Sequence, residues 1–205
     1  MKKTQISSKF VKMHFLLADA MRDTCRMHRF LGQEELQQTY ERYLDAFLET
    51  NESQLDIEIG KKDKVRLRRY NEHDWYEKQI EFGYIGNCPE MKGLDIRLTN
   101  GNLIENARKI RLELINPKNT PLPNEFKTQL QDMLTQTKWI FPRFPLILLP
   151  GNTIRGEHNK WARHEKKPDF WMCSRTKYDL DAGNSRSISY TLNGYYRANC
   201  FVGKK

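Results

Sequence analysis

Between Gly151 and Tyr178 the chain reads GNTIRGEHNKWARHEKKPDFWMCSRTKY. The cations Arg155, Lys160, Arg163, Lys166, Lys167, Arg175 and Lys177 alternate there with the rings Trp161, Phe170, Trp171 and Tyr178. Ammonium and guanidinium groups neutralise phosphates, and flat rings offer faces on which bases stack. Arg serves both purposes, because its planar fork binds phosphate and also lies flat on a ring. Further along, Tyr195, Tyr196 and Arg197 repeat the combination in three consecutive residues, and Arg66 and Arg68 add basic charge within Lys64–Tyr70. This composition suits a nucleic acid, with single strands favoured over duplex, since rings are plentiful and no recognition helix is evident. Such a protein could act as a subunit of a larger complex; an acidic protein partner, on which the basic face would dock, is the competing reading of the same charges.

The same stretch holds a second chemistry. His158 and His164, with Glu157 and Glu165 beside them, could act as general bases or hold a metal for phosphodiester or phosphate cleavage. The H-x5-H spacing matches no common ligand pattern, and the surrounding charge is cationic, which disfavours a metal ion. HNKWARHE resembles the H-x-K-x4-D of phospholipase D enzymes only in part: it ends in Glu165 and no apolar strand flanks it. Nucleotide-binding and hydrolase machinery is absent, with no G-x-x-x-x-G-K-[ST] and no G-x-S-x-G. The sequence therefore favours binding over catalysis, and implies neither a metal nor a cofactor.

Charge agrees with this reading. The net charge is +9 over 205 residues, and residues 151–205, with eleven Lys/Arg against five Asp/Glu, supply +6 of it. The apolar share of 38% is low, so the core is thin, yet apolar periodicity persists along the chain and implies a folded α+β protein. No apolar run reaches the roughly 18 residues a spanning helix needs. The four cysteines, at positions 25, 88, 173 and 200, form no close pair and read as reduced thiols of a cytoplasmic protein.

The elements that must position these groups follow from periodicity. Ser7 or Ser8 caps a helix ending near Leu31, and a second helix spans about Gln33–Thr50, giving an N-terminal helical hairpin. Period then changes to two. Leu55, Ile57 and Ile59 predict one strand, Val65 and Leu67 another, and Tyr76–Ile85 and Leu94–Thr99 two more. Leu103–Ile115 is ambiguous but ends strand-like, so residues 53–116 predict an antiparallel meander with Asp56, Glu58, Arg66 and Arg68 on its polar faces. Pro117, Pro121 and Pro123 suggest a boundary between units 1–116 and 117–205, with one continuous domain as the alternative. Beyond them come a helix at about Asn124–Lys138 and a wholly apolar strand, Leu146–Leu149, expected to be buried on both faces. A long loop over 151–168 and a short strand at Phe170–Cys173 follow. Asn193-Gly194 then marks a hairpin between Ser187–Leu192 and Tyr195–Val202. The last segments make a small C-terminal β unit.

Overall fold

The computed structural model describes residues 4–27, 32–86, 102–115, 144–154 and 176–205. The protein is α+β. In chain order the described elements are β1 (Thr4–Ile6), α1 (Ser8–Met27), α2 (Gln33–Glu49), α3 (Glu52–Lys62), α4 (Lys64–Glu72), β2 (Asp74–Glu81) and β3 (Ile85–Gly86). After them come α5 (Leu103–Ile115), β4 (Leu146–Pro150), β5 (Tyr178–Ala182), α6 (Asn184–Leu192) and β6 (Arg197–Lys204). The expected strand at 94–99, helix at 124–138 and strand at 170–173 lie outside the described residues, as does the loop beyond residue 154.

Helices α1 and α2 form where the 3.6-residue period places them. The Ser7 hydroxyl accepts the Phe10 amide at 3.2 Å, capping α1. At α2 the Gly32 amide donates to the Glu35 carboxylate at 2.9 Å, and Leu36 is buried against the core. The hydroxyls of Thr24 and Tyr43 join the two helices at 3.2 Å.

The first half of the expected meander is helical instead. Asn51 caps α3 by accepting the Gln54 amide at 2.9 Å, with Glu52 in the first turn and Lys61 and Lys62 in the last. Leu55 and Ile59 are completely buried while Ile57 is 55% exposed. Positions i and i+4 share a face in both a helix and a strand; only i+2 separates the two, and Ile57 points to water. Asp63 ends α3 and caps α4, accepting the Arg66 amide at 2.9 Å. Residues 103–115 are likewise helical, as α5, with Leu103, Ala107 and Ile110 on the buried side.

One six-stranded mixed sheet runs in the order β1-β2-β6-β4-β5-β3, so its strands come from both sides of the Pro117–Pro123 segment. The last strand, β6, lies inside the sheet, antiparallel to β2 and parallel to β4. Leu146–Leu149 of β4 is buried on both faces, as its unbroken apolar run requires: Leu146 and Leu148 join one core cluster, Ile147 and Leu149 the other. Gly151 follows because the strand end passes so close to Thr176 that a Cβ would lie 2.3 Å from its carbonyl oxygen.

The expected C-terminal hairpin is half strand and half helix. Ser187–Leu192 belongs to α6, and the Asn-Gly pair ends that helix. The amide and side chain of Asn193 both donate to the Ser189 carbonyl, at 3.0 and 2.9 Å, and Gly194 takes φ +84°. The chain then reverses into β6.

Candidate functional site

Six of the residues expected to bind nucleic acid are described, and the fold divides them. Arg66 points inward. Its Nε donates to Asp181 Oδ2 at 2.9 Å and its Nη2 to the Asp181 carbonyl at 3.0 Å, while the guanidinium rests 4.9 Å from the Phe15 ring centroid. Arg69 donates to Asp181 Oδ1 at 2.7 Å, and the Tyr70 hydroxyl to Oδ2 at 3.0 Å. Asp181 is buried, standing as the extra residue where the β4–β5 register shifts. Burial works against the charge on Arg66, but Asp181, Tyr70 and Asp63 together outweigh it and hold the guanidinium protonated. Burial, reinforced by Asp181, also pushes the Tyr70 hydroxyl well up, so it remains a donor. These contacts clamp α4 onto the sheet.

Arg68, two residues on, faces the other way. Its side chain is 58% exposed, with Nε 3.9 Å from Glu72. Lys177 is exposed and lies over the Tyr178 ring at 5.7 Å. Tyr178 pairs with Pro150 at the far end of β4, whereas Arg197 precedes the point where β4 and β6 first pair, at Leu146 and Cys200. Lys177 and Arg197 thus sit at opposite ends of the sheet.

Tyr195, Tyr196 and Arg197 do come together. They line an open cleft of about 410 Å³ that Phe144, Tyr190, Gly194 and the start of β6 complete. Main-chain bonds hold the segment in place: Tyr195 N–H to the Tyr190 carbonyl at 3.0 Å, and Phe82 N–H to the Tyr196 carbonyl at 2.9 Å. The Tyr190 and Tyr195 rings meet edge-on at 5.8 Å. Tyr196 is 61% exposed, and the Arg197 guanidinium lies 5.2 Å from its ring centroid. In the ladder Arg197 stands opposite Glu81, yet no ion pair joins them.

Behind the cleft is a second cation. Arg186 of α6 is buried, stacks 5.5 Å from the centroid of Phe144 and donates to the Pro145 carbonyl at 3.4 Å. Among the described residues no carboxylate pairs with it, and its Nε has no partner. Burial lowers its pKa, a sign that its charge lacks full compensation. The Tyr190 hydroxyl, also buried and without a partner, is pushed up by burial and stays protonated. The cleft therefore presents aromatic faces beside Arg197, with the unpartnered Arg186 Nε and Tyr190 hydroxyl behind them.

Phe144, Tyr190, Gln79 and Asn199 are not evident from sequence as parts of a site, because the sheet and the α6–β6 turn bring them together from three separate regions of the chain. The local signal was the run Tyr195-Tyr196-Arg197 directly after a helix-ending Asn-Gly. Arg155, Lys160, Trp161, Arg163, Lys166, Lys167, Trp171 and Arg175 lie outside the described residues, as do Glu157, His158, His164 and Glu165. Among the described residues no group of three or more His, Cys, Asp or Glu side chains is placed to hold a metal ion, and no helix is long and apolar enough to cross a membrane. Cys200 is a buried free thiol whose pKa burial raises.

No protein-family model, curated protein or solved structure matches this chain. Its functional reading rests on its own side chains.

Proposed function

We propose that the protein binds single-stranded nucleic acid, with Tyr195 and Tyr196 as stacking faces and Arg197 as a phosphate contact. The observation that carries this reading is the cleft itself: adjacent exposed tyrosines and an arginine that forms no ion pair among the described residues, over a buried arginine that likewise forms none and whose Nε has no partner. Its volume, about 410 Å³, falls within the roughly 300–1,000 Å³ of ligand-sized clefts. Unpaired bases have open faces that can enter such a space, whereas in a duplex those faces are stacked. The net charge of +9 supplies attraction that is long-ranged and salt-sensitive.

The test is fluorescence anisotropy with labelled single- and double-stranded DNA and RNA, titrated from low to physiological salt. Single strands bind more tightly than duplexes, affinity falls steeply with salt, and Tyr196→Ala weakens it without altering the fold. Absence of binding to all four ligands at low salt overturns the proposal. The same samples carrying Trp161→Ala or Trp171→Ala report whether the basic, aromatic stretch between Arg155 and Arg175 contributes.

A further inference from the structure

The cleft has a polar wall as well as an aromatic one. Gln79 of β2 and Asn199 of β6 are directly paired in the antiparallel ladder, and both border the cleft. Directly paired residues point to the same face of a sheet, with Cβ atoms roughly 4.5–5.5 Å apart, so their side chains emerge side by side. Both are exposed, and neither amide makes a hydrogen bond to another described residue. Among the described residues, therefore, nothing uses the carbonyl acceptor or the two N–H donors of either.

Two free amides beside a stacking platform match a specific shape. A nucleobase has a flat face and, perpendicular to its stacking direction, an edge with donors and acceptors in fixed order. Asn and Gln meet such edges with paired hydrogen bonds. Single-stranded bases, splayed from their neighbours, expose both face and edge to a protein at once. A site that only tracked a backbone would need cations here. The sheet instead places neutral amides next to the tyrosines, with Arg197 at the rim.

We infer that the cleft takes one nucleobase, held by its face against Tyr195 and Tyr196 and read at its edge by the Gln79–Asn199 amide pair. The protein then discriminates among bases in addition to holding the strand. This rests on the proposed single-strand binding, and the two can fail separately.

The experiment compares the affinities of the full chain for short single-stranded homopolymers of A, C, G and U, across a range of salt, for the unaltered protein and for Gln79→Leu and Asn199→Leu. Both positions are exposed, so the variants keep the fold, which far-UV circular dichroism and the thermal midpoint verify. The unaltered protein separates its best and worst homopolymers by at least about fivefold, the low end of what one bidentate amide–base pair contributes. In each Leu variant that spread shrinks to within about twofold, while the slope of log affinity against log salt is unchanged, because no phosphate contact has been removed. If none of the four binds at low salt, the proposed function falls and this inference with it. If all four bind equally, or if both Leu variants keep the original order and spread, the strand is bound but not read at this amide pair, and the inference alone is overturned.

Discussion

Two of the places where the described residues combine arginine with tyrosine differ in what surrounds the guanidinium. Where α4 meets β5, Arg66, Arg69 and Tyr70 all donate to one buried carboxylate, Asp181. At the start of β6, Arg197 leans on Tyr196 and forms no ion pair among the described residues, although Glu81 stands opposite it in the ladder, and the rings beside it face solvent. The first group is satisfied from within the chain and holds helices to the sheet. The second, among the described residues, is left with unmet capacity that a bound partner can meet. Residue type does not separate structure from function here; saturation does.

The sharpest way to break the comparison is to remove the carboxylate. Asp181→Ala leaves two arginines and a buried hydroxyl facing an empty site, and it costs about 3–5 kcal/mol, as for other broken buried pairs. Urea unfolding measures it. Affinity for single strands, per folded molecule, stays as it was. If Asp181→Ala is as stable as the unaltered protein, the α4 clamp is misassigned.

Tyr196→Ala is the converse. Losing one base–ring stack weakens single-strand affinity by about 1–3 kcal/mol, roughly fivefold to a hundredfold. Stability shifts by no more than about 0.5 kcal/mol, as expected for a surface side chain without internal bonds. A variant that binds normally but unfolds early would place Tyr196 with the structural group instead.

A third test uses pH. His14 of α1 is wedged between Phe10 and Phe201, with ring centroids 4.5 and 5.3 Å away, and its Nδ1 has no partner. Burial, then the positive charge of Arg186, lowers its pKa to about 4. In the unfolded chain the imidazole takes up its proton near pH 6.5, well above the pH at which the folded state does. Folding stability is therefore whole above that range and is lost as pH falls toward 4. Between pH 7 and pH 5 the loss from this group is about 2 kcal/mol, and His14→Phe removes it. Chemical denaturation at the two pH values measures the difference; an unchanged slope in the variant would mean that His14 is already charged in the folded protein.

The sequence reading and the fold part company at identifiable residues. The N-terminal helices were legible because their apolar positions recur over five turns, and Leu146–Leu149 because an unbroken apolar run has few alternatives. The meander was misread at Leu55, Ile57 and Ile59, where two of three residues satisfy both periods and Asn51 and Asp63, the caps that decide the matter, look like ordinary turn residues. Asn193-Gly194 was misread for a related reason: a positive φ ends a helix as readily as it turns a hairpin. In the candidate site, Tyr195, Tyr196 and Arg197 were legible as a local run. Arg66 was grouped with them on charge, since its partner Asp181 lies 115 residues away. Gln79 and Asn199 left no signal, for they meet only through the β2–β6 register.

The smallest expected effect separates the two roles given to Arg197. As a phosphate contact it needs only charge; as a partner of Tyr196 it needs a flat guanidinium. Arg197→Gln removes both, so the slope of log affinity against log salt falls by about 0.7, the value for one single-strand phosphate contact. Arg197→Lys keeps the charge but replaces the planar fork with a more strongly hydrated ammonium. Its salt slope is then unchanged, while affinity falls by about 0.5–1 kcal/mol, the size of an exposed cation–π contact. Were Arg197→Lys to bind as tightly as the unaltered protein, the guanidinium on Tyr196 would serve only as charge, and stacking in the cleft would fall to the tyrosines alone.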